Sequence, residues 1–146
     1  MNASVTSADL RAVDVMSSPV ATAPESSSLW HAGDLMIGLG IHHVVVVKAD
    51  HCIGVLTDRD VLEAWHRGPA AIRSTPVGRL VAASTACVLP EAPLSQVASV
   101  MNVNHVDAVP VVDETGKLLG LVTAGDIVHA VATHGLAGPV ESARPD

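Results

Sequence analysis

The chain contains no phenylalanine and no tyrosine, and its aromatic residues are Trp30 and Trp65 alone. Platforms for single-stranded nucleic acid are built from stacking rings, so this composition argues against that class. Basic charge is equally scarce. Eight Lys and Arg against fifteen Asp and Glu give a formal net charge of −7, the wrong sign for a nucleic-acid surface. Acidity leaves room for a small anionic ligand, because backbone N–H groups and one local arginine can hold a phosphate. No apolar run approaches the ~20 residues of a membrane span. Asp9, Arg11 and Asp14 stand where a secretory leader would need an apolar stretch, so the expectation is a cytoplasmic protein with no membrane partner. Cysteine is limited to Cys52 and Cys87, without CxxC spacing. They read as small apolar residues on strands, and the sequence leaves a disulfide between them open.

What is abundant is aliphatic. Apolar residues make up 49% of the 146 positions, enough for a sizeable core in one domain or in two small halves sharing one. A short helix is expected over 9–16, broken by Ser17-Ser18-Pro19, and a brief extended segment over Val20 to Ala23. Leu29, Ala32, Leu35, Met36 and Leu39 then fall at helical spacing, and Gly40 is a natural stop. The β-branched run Val44 to Val47 predicts a buried strand. Lys48 to His51 turns the chain, Cys52 to Leu56 is the return strand, and a helix follows from Asp58 to His66.

Near Pro76 the pattern restarts. A shift of 65 positions pairs Leu29 with Leu94, Leu35-Met36 with Val100-Met101, and Val46-Val47 with Val111-Val112. After the hairpin the shift becomes 66, because the turn Asp113 to Lys117 is one residue longer than its counterpart. Gly54, Thr57 and Asp60 then fall on Gly120, Thr123 and Asp126. A one-residue slip inside a turn is what a duplication tolerates. One unit of this size buries too little surface alone. The expected architecture is therefore an α/β (α+β) pair of β-α-β-β-α repeats, packed through their sheets about a pseudo-two-fold axis. The expected divisions are an arm at 1–12, repeat one at 13–68, a linker at 69–76, repeat two at 77–134 and a tail at 135–146.

Gly54-Val55-Leu56-Thr57-Asp58-Arg59-Asp60 and its copy Gly120-Leu121-Val122-Thr123-Ala124-Gly125-Asp126, with Ala108-Val109-Pro110-Val111-Val112-Asp113 before the second, resemble the motifs of a tandem pair of CBS domains, a Bateman module. The likeness covers roughly Val13 to His134 and looks like the stand-alone bacterial type. It implies a sensor that binds adenosine-containing ligands such as AMP, ADP, ATP or S-adenosylmethionine in clefts between the repeats. It also implies a homodimer that signals to a separate partner protein, with no required cofactor and no catalysis.

The residues bear on that role directly. A Thr at a helix start can offer its hydroxyl to a phosphate oxygen, beside first-turn N–H donors carrying partial positive charge. An Asp three residues on can accept both hydroxyls of a ribose. Carried over, Thr57 and Thr123 contact phosphate, Asp60 and Asp126 hold ribose, and Arg59 adds a charged contact. Ile41, His42, His43 and Val44 in one repeat, and Val106, Asp107, Ala108, Val109 and Pro110 in the other, wall the adenine. Ala21-Thr22 and Ala86-Cys87 line the same clefts. Arg59 faces Gly125 in the alignment, so the first site, with its His42-His43 loop, is expected to favour the phosphorylated ligand. The second, with the His105 to Pro110 loop, is expected to bind the adenosine part as well or better.

Thr-x-x-Asp is also a capping box, which leaves open a ligand-independent docking or dimerisation module. An enzyme is disfavoured, because no nucleophile elbow, P-loop or paired acid and base is present. The eight histidines include no HExxH, and adjacent strand residues such as His42 and His43 point to opposite faces, so no metal site is expected.

Overall fold

The computed structural model describes residues 5–81 and 85–136. Two sheets carry the repeats. The first has strands β1 (Thr22–Pro24), β2 (His43–Lys48) and β3 (His51–Thr57) in that order. β1 runs parallel to β2, and β2 antiparallel to β3. The second pairs β4 (Ala108–Val112) antiparallel with β5 (Leu118–Thr123). The helices are α1 (Ala12–Val15), α2 (Leu29–Leu39), α3 (Asp58–Arg67), α4 (Pro69–Ser74), α5 (Leu94–Asn104) and α6 (Ala124–His134).

The duplication is visible in the ladders. His43 pairs with Thr57 and Ala108 with Thr123, the residues that the shifts of 65 and 66 equate. Each hairpin carries its irregularity at the equated place, between Val46 and Val47 and between Val111 and Val112. The slip lies in the turns as expected. Repeat one turns on Ala49 and Asp50, both at positive φ (50° and 66°), the two-residue geometry that suits a twisted hairpin. Repeat two uses a longer turn, in which Asp113 Oδ1 accepts from the Thr115 and Lys117 N–H groups at 2.8 and 3.0 Å.

α2 buries Leu29, Ala32 and Met36, one stripe at helical period. Ser28 caps it by accepting from His31 N–H, and Gly40 closes it in the left-handed region at φ 65°. In α5 the equated stripe is Leu94, Val97 and Met101. The position of Gly40 is taken there by His105 at φ 54°, a conformation that costs a side chain something to adopt.

Each repeat has its own core, and each core takes in residues from beyond its own repeat. Ile72 and Val77 join Ala23, Leu29, Met36, Val44 and Leu56. Ala12 joins Val97, Met101, Val109 and Val122. Between the sheets Val45, Ala108 and Leu121 form a third buried cluster. The two motif glycines explain the exchange. A Cβ on Gly54 would collide with Val81, and one on Gly120 with Met16. The stretch leading into each repeat thus lies against the motif strand of the other, and the Ser17 and Leu121 backbones bond reciprocally at 2.9 and 3.2 Å.

The 69–76 linker contains α4, whose Ile72 is buried in core one. Two expectations are corrected. The helix over 9–16 is two short turns, Ser7–Asp9 and α1, because the Leu10 carbonyl is drawn off to accept from Leu94 N–H at 3.2 Å. The first strand of repeat two shrinks, among the described residues, to a single parallel bridge from Val88 to Val111. The expected tail beyond Leu136 and residues 1–4 of the expected arm lie outside the described residues.

Candidate functional site

Thr57 and Thr123 end equated strands and start equated helices. Each cap is complete and reciprocal. Asp60 N–H donates to Thr57 Oγ1 at 3.1 Å, while Thr57 N–H donates to Asp60 Oδ2 at 2.9 Å. The corresponding bonds between Thr123 and Asp126 are 3.3 and 2.8 Å. The next N–H is also occupied. Asp58 N–H donates to the His42 carbonyl at 3.0 Å, and Ala124 N–H to the Asp107 carbonyl at 2.8 Å. These first-turn donors are therefore already partnered. The Gly125 N–H makes no hydrogen bond among the described residues.

Two clefts open beside these helix starts. The first, about 780 Å³, has Val55, Thr57, Asp58 and Arg59 on one side and His105, Val106, Asp107 and Ala108 on the other. The second, about 660 Å³, sets Leu121, Thr123, Ala124 and Gly125 against Leu39, Gly40 and Ile41, with Ser17, Pro19, Val20 and Ala21 along its side. Both volumes fall in the range of small-molecule sites. The clefts are crossed: the Thr57 helix start faces the loop of repeat two, and the Thr123 helix start faces the loop of repeat one. The sequence reading had put Arg59 with the His42-His43 loop and Thr123 with the His105 loop; His42 and His43 do border the Arg59 cleft and Asp107 the Thr123 cleft, and each cleft adds the loop of the other repeat.

His42, His43 and Asp107 line both clefts and form the partition between them. His43 Nε2 lies 2.9 Å from Asp107 Oδ1, with the imidazole largely buried (14% exposed) and the carboxylate open. His42 Nδ1 lies 2.9 Å from Asp58 Oδ2, and this bond holds the Asp58 carboxyl below the usual range. Arg59 is 83% exposed, with its Nε turned to Glu63 at 3.5 Å. An exposed pair of that kind is weak, so the guanidinium is available to a ligand.

Several expected residues lie elsewhere. Asp60 and Asp126 line neither cleft, each carboxylate being used in its cap. Val44 and Pro110 are buried in the sheets. Thr22 lines a smaller cleft of about 320 Å³ with Ser18, Val47, Asp50 and Lys117, while its neighbour Ala21 reaches the Thr123 cleft. Cys87 lines neither cleft and stands beside Cys52. The sequence reading missed Asp58 and Val55 in the first cleft and gave its His105 to the second site; in the second it missed Ser17, Val20, Leu39, Leu121 and Ala124. Asp58 and Ala124 follow the motif threonines directly and were the readable signal. Among the described residues no group of three or more His, Cys, Asp or Glu is placed to hold a metal ion, and no helix is long and apolar enough to cross a membrane.

Comparison with known proteins bears on the family and the fold. The CBS domain family model matches residues 12–67 and 77–133. The homoserine O-acetyltransferase of Methanosalsum zhilinae is 29% identical over 122 residues, which are 83% of this chain and 24% of that protein. The chain thus spans about a quarter of the length of the curated relatives it matches. Hypoxic Response Protein I, solved with two coordinated zinc ions, is 27% identical with a TM-score of 0.74, covering 82% of this chain and 98% of that one. Two structures below 25% identity share the fold. The CBS domain pair of protein MJ0100, in complex with 5′-methylthioadenosine and S-adenosyl-L-methionine, has a TM-score of 0.76 at 23% identity, covering 85% and 97%. CBSX2 in complex with AMP has a TM-score of 0.72 at 24% identity, covering 84% and 96%.

Proposed function

From a chain that belongs to the CBS domain family, with two such domains side by side, we propose a regulatory module that binds adenosine-containing ligands in its two crossed clefts. The observation that carries this reading is the placement of two capped threonine helix starts, each across from the other repeat's loop, at clefts of ligand size. AMP, ADP, ATP and S-adenosylmethionine are the first ligands to test, since proteins of this fold hold AMP and S-adenosylmethionine. Thr57 and Thr123 serve the phosphate end. Asp60 and Asp126, which line neither cleft, serve by holding the caps that position the threonines.

The first cleft is the one suited to a phosphorylated ligand. Arg59 supplies a positive charge that Gly125 cannot, and its bond to Glu63 is readily exchanged for a phosphate oxygen. The second cleft has more apolar walls, in Val20, Leu39, Ile41 and Leu121, and suits the adenosine part whatever its phosphate count. The whole enzymes among the relatives lend this chain no activity. Its role is sensing in the cytoplasm, with the output passed to a separate protein. A homodimer is favoured by an apolar groove of about 400 Å³ between α2, α3 and α4, lined by Trp30, Ile37, Val61, Leu62 and Trp65. Leu62 and its repeat-two counterpart Val128 are both about two-thirds exposed.

Calorimetric titration of the four ligands, with melting curves, tests the reading. Heat and a raised melting temperature with at least one of them are expected, and His43→Ala should weaken both clefts because the imidazole borders both. No heat and no shift with any ligand would overturn it. That result would favour the second reading, a ligand-independent docking module, which the complete capping of both helix starts without a ligand already suits.

A further inference from the structure

Cys52 and Cys87 are 35 positions apart, in different repeats, and are the only thiols in the sequence. Cys52 lies on β3, the edge strand of the first sheet, and packs against the buried cluster between the sheets. The chain around Cys87 crosses from that edge to the second sheet within a few residues. Thr85 Oγ1 donates to the Ile53 carbonyl at 3.3 Å. Val88 N–H donates to the Pro110 carbonyl at 3.0 Å, and the Val88 carbonyl accepts from Val112 N–H at 2.9 Å. Cys87 is thus held between one anchor on each sheet, alongside Cys52.

The two thiols are neighbours that perturb one another: their contact pulls Cys87 down and, with partial burial, pushes Cys52 up. The Cys87 S–H donates to the Thr85 carbonyl at 3.5 Å. Of the pair, Cys87 is the sulfur suited to attack and Cys52 the one suited to resolve. Neither thiol lines a ligand cleft, so this feature is independent of the proposed function.

We infer that Cys52 and Cys87 form a reversible disulfide that fastens the two repeats together when the protein meets a hydroperoxide. The Cys87 thiolate attacks one peroxide oxygen, the O–O bond breaks, and hydroxide leaves a sulfenic acid on Cys87. The Cys52 sulfur then attacks that sulfur, the S–O bond breaks, and water leaves with the Cys52 proton. Two thiols are oxidised and one peroxide is reduced to the level of water. A dithiol reductant reverses the step by exchange.

The test uses the full chain, reduced, desalted and treated with hydrogen peroxide, then alkylated and digested with trypsin without reductant. Peptides 49–59 and 80–117 should appear joined, with alkylation lost at both cysteines together and restored by dithiothreitol. In Cys52→Ser, Cys87 should stop at a sulfenic acid that dimedone traps. In Cys87→Ser, Cys52 should stay alkylatable at the same peroxide dose. The inference is overturned if both thiols remain free after treatment, if each is oxidised separately to sulfinic acid, or if the cysteines join only between two chains.

Discussion

At the helix start beside the first cleft stand Asp58 and Arg59; beside the second stand Ala124 and Gly125. Around these positions almost everything is the same. The threonine caps, the Asp three residues on, the strand register and the bond from the first N–H to the loop of its own repeat all recur. The repeated features are those that the backbone needs, since an uncapped helix leaves orphan donors at its end. The positions that differ point into the clefts. The second cleft offers a Gly125 N–H without a partner among the described residues, and no carboxylate at the first helical residue. The first offers Arg59, beside Asp58 held by His42. Duplication has kept the frame and changed the chemistry facing the clefts.

The frame itself is where substitution should cost most. Gly54→Ala forces a methyl into the stiff, β-branched Val81 and should cost about 1–3 kcal/mol by overpacking. Gly120→Ala meets the thioether of Met16, which can swing aside, although the Ser17 carbonyl at 2.9 Å also resists it. Its loss should fall in the lower part of that range. Chemical denaturation of the two variants measures the difference; a larger loss at Gly120 would show that the lead-in segments are not equivalent in the way described.

The caps should behave alike. Asp60→Ala and Asp126→Ala each remove a carboxylate from the first turn and one bond to a backbone N–H. Both should cost about 0.3–1 kcal/mol, equal within error. A much larger loss at one would mean that its carboxylate does something besides capping.

The smallest effect concerns Asp58, which has no carboxylate counterpart at Ala124. Its folded-state acidity lies below the ordinary value through the His42 bond. Its contribution to stability is therefore present above the unfolded carboxyl range and lost as pH falls through the lowered folded value. The group is well exposed, so the effect should stay within about 0.5 kcal/mol. Asp58→Asn should be slightly less stable than the parent near neutrality and should match it in acid. A gap that persists in acid would assign the effect to something other than the charge.

Most of the frame was legible in the sequence because a duplication prints itself as a shift. That shift located the hairpins, the extra turn residue and the two caps. It could not show which repeat faces which, because a shift equates residues and says nothing of partners across an interface. Hence Thr57 was matched with the His42 loop alone, whereas the packing of Met16 on Gly120 and Val81 on Gly54 brings the other repeat's loop to each helix start as well. Helix α4 escaped notice because Pro69 reads as a stop, although proline is also favoured at the first position of a helix. Thr22 and Ala21 looked interchangeable, and the alternation of strand side chains sends only Ala21 to the cleft.

The central claim is that the clefts are unequal because of Arg59. Titrating AMP calorimetrically into the wild-type protein and into Arg59→Ala tests it most directly. Two classes of site are expected in the wild type, with the tighter one weakened by about tenfold or more in the variant and the other unchanged. Two equivalent sites, both indifferent to the substitution, would contradict it.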